Sequence, residues 1–541
     1  LTVRLISPTK AFGFSNLYLD FLAGQAPASD LFVSPGYLQT VGQIDQAVYQ
    51  HTQLVEILTR QNRHFGASPK TFEAIELLND SRTVCFFAGQ QAGLFGGPLL
   101  SLIKALATVK AAKRRSEELG RPVVPIFWIA ADDHDFAEIN NTYLLNRDGE
   151  LAQVAYPVMP DQPVPVGDVR FADDAAVEAM HKLLQETLGQ SDFTPALYAM
   201  LEECYSSGKN VVTAFGKLIA KLTADHGLIL FSPADPAAKK LASPLFLNIL
   251  ARQSELHALL GTTNRRIEQA SYHLQVEKND QAVHLFYHKN GRWPIVHRDG
   301  RYHAGEFSFN LAELTDLIRL NPDQFSPDVL TRPLMQSFLF PTLAQMGGPS
   351  EIAYFAQINP LFALFNVPTP VHTARPTATL VEKRHEKVMA ESDISFEDLA
   401  GDFELVINRV MAKSFPQDIE TEFQKLREGI FGRFDQFTEK SLQFDPTLKD
   451  FAQQTAGKID FSMKAFEGKV FGAHKKKSKE LRDRLYRLWY ALYPNRALQD
   501  RSLNISYFVS RYGPGVVSFL YDRIDPDQSA HQLISLSEYT N

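Results

Sequence analysis

Between residues 83 and 131 the chain reads as strand, glycine loop, helix, strand, and no other stretch limits the possible folds so tightly. Thr83–Ala88 is an unbroken β-prone run, the pattern of a strand buried on both faces. A glycine-rich loop, Gly89–Gly97, follows it. Pro98 then opens a helical pattern with apolar residues at Leu99, Leu102, Ile103, Leu106 and Val109, which stops at Gly120. Proline at the first turn and glycine past the last follow the asymmetry of helix ends. Val123–Ala131 is a second buried strand. A βαβ unit of this kind predicts an α/β fold with a parallel, Rossmann-like sheet.

The remaining segments arrange themselves around that unit. Residues 1–150 supply the first half of the core, and 151–215, rich in proline at its start, reads as an insertion. Residues 216–261 return to the core with a short third strand at Leu228–Phe231. Residues 262–325 alternate, as at Val283–His288, and carry the Asn290-Gly291 turn signal, so a second, β-rich insertion is expected. Residues 326–380 complete the core, with a helix at Tyr354–Leu364 and an extended run at Val367–Thr379. From 381 to 495 the apolar spacing changes to steps of four and three: Leu399, Phe403, Val406, Val410; Ile419, Phe423, Leu426, Ile430; Leu481, Leu485, Leu488, Leu492. That narrow seam is the mark of coiled-coil packing. Pro446 should break it, giving an antiparallel hairpin or a pairing between subunits. The tail, 496–541, is expected to return to the core.

Composition excludes several classes. At 541 residues the chain should form about two to four structural units. Its net charge of −7 argues against nucleic-acid binding, which needs a basic footprint. Two cysteines, Cys85 and Cys204, rule out a disulfide framework or a thiolate zinc site and suit a reducing cytoplasm. Cys85, inside an apolar run, reads as a buried, inert thiol. No apolar stretch is long enough to span a membrane, and Leu1-Thr2-Val3-Arg4-Leu5 lacks a signal-peptide pattern.

Four constellations could carry chemistry. In the first, Gly89, Gln90, Gln91, Gly93, Gly96 and Gly97 lie between a strand and a helix start, where free N–H groups and the positive helix end favour a phosphate or carboxylate. The alternative is a tight turn needing glycines for its backbone. Lys104 lies about one and a half turns into the helix, deep for direct contact with an anion. The spacing matches neither GxGxxG nor a Walker loop. In the second, Asp132, Asp133, His134 and Asp135 follow the second strand, with Glu138 close behind. Adjacent carboxylates around an imidazole suit acid–base work, a bound Mg²⁺ or a substrate ammonium, with helix capping as the alternative. The third is Gly347–Glu351, another glycine turn into a helix, with Glu351 either stabilising the helix start or forming a substrate wall. Arg332 and Arg375 are candidate carboxylate clamps. The fourth, Lys475-Lys476-Lys477-Ser478-Lys479, reads as a solvated helix face. His284, His288, His297 and His303 lack a metal-ligand spacing, and no residue is assigned as a metal ligand, while Mg²⁺ with ATP stays open.

These runs resemble a known family. Phe87 through Leu99, with its Gly-Gln-Gln-Ala-Gly core, is similar to the signature of the bacillithiol biosynthesis cysteine-adding enzymes (BshC). So are Pro125 through Asn140, Arg332-Pro-Leu-Met-Gln, Gly347 through Tyr354, and Leu498-Gln-Asp-Arg. Departures are few: Ala88 and Gly96 stand where the family commonly has Thr, Ala131 where it has Gly, and Ser350 where it has Gly or Ala. No hydroxyl role can therefore be assigned to the first loop. The resemblance implies a class I aminoacyl-tRNA synthetase-like Rossmann core, two connecting-peptide insertions, and a coiled-coil domain that forms a homodimer. It further implies a ligase that joins cysteine to the amine of glucosaminyl-malate, with ATP as the activating cosubstrate. Asp133, His134 and Asp135 would deprotonate the sugar amine, or hold the cysteine ammonium or a metal. Arg332 and Arg375 would clamp malate carboxylates. The HIGH sequence of class I synthetases is absent, so an adenylate intermediate is a fold-level analogy. Two other functions fit the residues: a non-catalytic nucleotide- or sugar-binding coiled-coil scaffold, and a nucleotidyltransferase acting on another small acid.

Overall fold

The computed structural model describes residues 3–32, 36–413 and 417–540, apart from the side chains of Gln417 and Lys477. The chain divides into two units, one of residues 1–382 with 491–541, the other of residues 383–490.

Fifteen strands occur among the described residues. In chain order they are β1 (Val3–Ile6), β2 (Val84–Gln90), β3 (Val123–Ile129), β4 (Asn141–Leu145), β5 (Leu151–Ala155), β6 (Ile229–Phe231), β7 (Ala282–His288), β8 (Arg292–Arg298), β9 (Arg301–Ala304), β10 (Phe307–Phe309), β11 (Phe325–Pro327), β12 (Thr342–Gly347), β13 (Val371–Ala374), β14 (Ala378–Val381) and β15 (His531–Ser535). The central sheet has the order β13-β12-β2-β3-β6, and every neighbouring pair is parallel. Numbered by their own succession, its strands run 5-4-1-2-3. The order reverses between β2 and β12. At such a reversal the connecting segments leave in opposite directions and open a crevice beyond the carboxyl ends of the strands. Both β2 and β3 are buried along nearly their whole length, which explains why they read as unbroken apolar runs rather than alternating ones.

Helix α1 (Leu99–Leu119) connects β2 to β3 and ends at Gly120 with φ 61°. Pro98 is its N-cap residue and Leu99 its first helical residue. α2 (Val211–Leu222) leads into β6, and α3 (Pro236–Ala251) leaves it. α4 (Arg332–Leu339) precedes β12, and α5 (Pro349–Ile358) follows it. The sheet β10-β9-β8-β7-β11 is antiparallel throughout, as the alternation over 262–325 predicts. Its β7–β8 hairpin turns at Asn290 and Gly291, both with positive φ. In the tail, β15 pairs with β1 and with β14. No helix among the described residues is long and apolar enough to cross a membrane.

The second unit is helical. α6 (Phe403–Lys413) packs on α9 (Lys479–Leu492), with the rings of Phe403 and Trp489 stacked 5.3 Å apart. α7 (Gln417–Phe444) and α8 (Lys449–Lys477) form a hairpin broken at Pro446, where the Asp445 carboxylate accepts the Thr447 N–H. Arg427 pairs with Asp460 across the hairpin at 2.6 Å. The three apolar seams differ in burial. Leu399, Phe403, Val406 and Val410 are buried, whereas Ile419 and Leu426 are exposed, as are Phe437, Phe444, Phe451, Phe461 and Phe466.

Candidate active site

Two chambers open at the carboxyl edge of the central sheet. The first, about 360 Å³, lies at the strand-order reversal and is lined by Gly89, Gln90 and Gln91 after β2, by Gly348 to Glu351 after β12, and by Lys104, Arg332, Arg375 and Arg501. The second, about 270 Å³, lies beside it under the antiparallel sheet and is lined by Asp132, Asp133, His134, Lys278, Phe286, Arg292 and Asp328. Trp128, Ala130, Asp133 and Arg332 line both. Residues from widely separated segments thus meet at the edge where ligands bind in open α/β sheets. A larger cavity of about 510 Å³ lies against Arg60, Lys209 and Lys217 and holds none of the predicted site residues.

Lys104 is buried and forms the floor of the first chamber. Its Nζ donates to the Gly89 carbonyl at 2.7 Å and to Gln90 Oε1 at 3.1 Å, and pairs with Glu351. The Glu351 carboxylate also accepts the Gly348 N–H at 2.8 Å. One ammonium and one carboxylate therefore tie the end of β2 to the end of β12. Burial pushes the Lys104 ammonium below its ordinary pKa, and Glu351 opposes that shift. Both residues border the chamber, but each is already committed to the other.

The glycine loop corrects the sequence reading. Gly93, Gly96 and Gly97 are not among the residues lining either chamber. Gly96 N–H donates to the Tyr205 hydroxyl, and Asn504 Nδ2 donates to the carbonyls of Phe95 and Gly97. Leu99 N–H, expected to face an anion, donates to the Leu503 carbonyl at 2.7 Å. The helix start is thus met by the chain's own tail. These glycines serve close packing: a Cβ on Gly93 would lie 2.6 Å from Gly97 Cα. Gly89 does border the chamber, and there a Cβ would lie 2.8 Å from the Trp128 carbonyl oxygen.

The acidic cluster separates into three roles. Asp132 pairs with the buried Lys239 of α3 at 2.7 Å. Asp135 caps the short helix Phe136–Ile139, accepting the Glu138 N–H, and is not among the chamber-lining residues. Asp133 alone faces both chambers. Its Oδ2 accepts Gln91 Nε2 at 2.8 Å, and its Oδ1 accepts the His134 N–H at 2.7 Å. Gln91 also donates to Glu138 at 2.9 Å, which fixes the amide. His134 accepts a hydrogen bond from Arg292 Nη1 on Nδ1, at 2.8 Å. Burial first, then the Arg292 charge, hold this imidazole below its ordinary pKa, while Asp133 and Asp135 oppose them.

The two predicted arginine clamps also differ. Arg375 is buried and its Nη1 pairs with the buried Asp500 at 2.6 Å. It borders the first chamber as a structural ion pair, not as a free clamp. Arg332 donates to the Tyr354 hydroxyl at 2.5 Å and lies 5.9 Å from the Trp128 ring. It forms no ion pair among the described residues, so its remaining donors can meet an anion. Sequence reasoning assigned no site role to Arg292, Lys239, Arg501, Trp128 or Tyr354. Trp128 and Tyr354 lay within the quoted motifs, whereas Arg292 and Lys239 carried no local signal.

A Rossmann-like α/β core with a two-chamber site, followed by a helical coiled-coil unit, is the class this chain defines. Residues 2–376 match the family model described as bacillithiol biosynthesis BshC, N-terminal Rossmann-like domain, and residues 378–536 match its C-terminal coiled-coil domain. The chain belongs to the BshC family. It is 31% identical over 514 residues to a Koribacter versatilis protein named "Putative cysteine ligase BshC", covering 94% of this chain and 95% of the relative. Relatives of the same name from Salinibacter ruber (30% over 488 residues, 89% and 88% covered) and Geobacillus kaustophilus (29% over 535 residues, 96% and 98% covered) are similar over the same extent.

Proposed function

We propose that this protein is the cysteine ligase of bacillithiol biosynthesis, acting in the cytoplasm to join the cysteine carboxyl group to the amine of glucosaminyl-malate at the expense of ATP. The observation that carries this reading is the pair of adjoining chambers with Asp133 and Arg332 on their shared boundary. An amide-forming ligase must hold an activated acyl donor and an amine acceptor side by side, and adjacency converts their encounter into an intramolecular step. A free carboxylate is a poor acyl donor, hence ATP. Arg332 and Arg501 offer guanidinium donors to phosphate or carboxylate oxygens in the first chamber. Asp133, held at both oxygens by donors, can accept the ammonium of an incoming substrate. Among the described residues no cluster of three metal-ligating side chains occurs. Mg²⁺, where ATP brings it, would neutralise phosphate charge, with Asp133 and Glu138 the carboxylates of the first chamber able to help hold it. The exposed apolar residues of α7 and α8 support a homodimer formed through the coiled coil.

Incubation with cysteine, ATP and glucosaminyl-malate should yield a new thiol conjugate, with AMP or ADP identifying the activation chemistry, from a protein that sediments as two chains. No conjugate under conditions where a control enzyme is active would reject the ligase reading. ATP binding without turnover would favour a scaffold, and pyrophosphate exchange with an acid other than cysteine a nucleotidyltransferase.

A further inference from the structure

The chemistry of His134 is set from outside its own segment. Arg292 opens β8, 158 residues further along the chain, and its Nη1 lies 2.8 Å from His134 Nδ1. A guanidinium has no acceptor capacity, so this contact has one direction: Arg292 donates and the Nδ1 lone pair accepts. In the neutral imidazole the proton then sits on Nε2. Arg292 is itself well fixed. Its backbone N–H donates to the Pro163 carbonyl at 2.9 Å, and its guanidinium lies 3.4 Å from the Phe286 ring centroid. The stem is buried, with only 9% of the residue exposed.

We propose that Arg292 is a positioning residue that locks His134 as an Nε2–H hydrogen-bond donor to a substrate oxygen, and so removes it from service as a general base. The assignment rests on the two chambers being the ligase site. Amide formation at an activated carboxyl group places negative charge on oxygen, and a fixed donor there lowers the barrier. The amine proton must then go elsewhere, and Asp133 is the carboxylate on the chamber boundary. The charged groups facing His134 are Arg292 and Lys278, which disfavour protonation, and Asp133 and Asp135, which favour it. Asp132 and Asp328 line the same chamber but are engaged by Lys239 and His284.

The test reads His134 directly and needs no turnover. The imidazole ¹⁵N and ¹³C NMR shifts of His134, assigned by comparison with His134→Gln, report its tautomer and its protonation against pH. Wild-type protein should hold the Nε2–H tautomer and titrate with a midpoint below the ordinary histidine range. In Arg292→Met the Nε2–H preference should be lost and the midpoint should rise, although burial and Lys278 still oppose Asp133 and Asp135. In Arg292→Lys the midpoint should move part of the way. An unchanged His134 profile in a folded Arg292→Met protein overturns the proposal. If that variant does not fold, an unchanged profile in Arg292→Lys does so. A ligase assay on the same variants separates the two claims. No conjugate from wild-type protein, with the shift present in Arg292→Met, retains the lock and loses the ligase reading. Conjugate formation with no shift does the reverse.

Discussion

Replacing Arg332 with Met should lower kcat/KM for conjugate formation by about a hundredfold, on the order of 3 kcal/mol of transition-state stabilisation. Arg332 borders both chambers and pairs with no carboxylate among the described residues, so its guanidinium is the cation best placed to meet an anionic oxygen there. Arg332→Lys should restore little, because an ammonium cannot reproduce the planar fork and its two parallel donors. The control is Tyr354→Phe, which removes the Arg332 partner at 2.5 Å without removing the charge. Steady-state kinetics and thermal melts on all three variants decide the matter. If Arg332→Met and Tyr354→Phe lose the same stability and Arg332→Met keeps its kcat/KM, Arg332 is a packing residue and the clamp is rejected.

Asp500→Ala should destabilise the first unit by about 3–5 kcal/mol. Arg375 and Asp500 are both almost wholly buried, with side chains 3% and 0% exposed, and their contact is 2.6 Å. Removing the carboxylate leaves a guanidinium in an environment that cannot solvate it. The double variant Arg375→Met/Asp500→Leu should recover most of the loss, since the cost of a broken buried pair lies in the orphaned charge. Asp80→Ala, which breaks the exposed contact with Arg82, should have little effect. Urea unfolding of the four proteins makes the comparison. An Asp500→Ala midpoint equal to that of Asp80→Ala would show that the pair does not hold the chamber wall.

The parts of the fold legible in the sequence were those encoded within about fifty residues. The two apolar runs and the proline–glycine bracket around α1 are local, and they led directly to β2, α1 and β3. The alternation of 262–325 and the four-three spacing of the helical unit are local as well. The expected anion contact at the start of α1 is taken by a remote partner: Leu503 O, some 400 residues away, meets the Leu99 N–H, while Gly89, Gln90 and Gln91 still line the chamber. Lys104 illustrates a different limit. Counting turns placed it deep in the helix, but helical side chains point back toward the N-terminus. Its long stem therefore returns to Gly89 and Gln90. Asp133 and Asp135 look alike in sequence, and only the fold makes one a chamber wall and the other a cap. The Arg292–His134 contact joins β8 to the loop after β3 and left no trace in either segment.

In the proposed ligase the two adjoining chambers form one amide-forming site. A crystal structure with cysteinyl-glucosaminyl-malate, the expected conjugate, tests it most directly. The amide should lie at the boundary, beside Asp133 and Arg332, with the two halves of the product in different chambers. Product bound instead in the cavity against Arg60 and Lys209, or wholly within one chamber, would contradict the account.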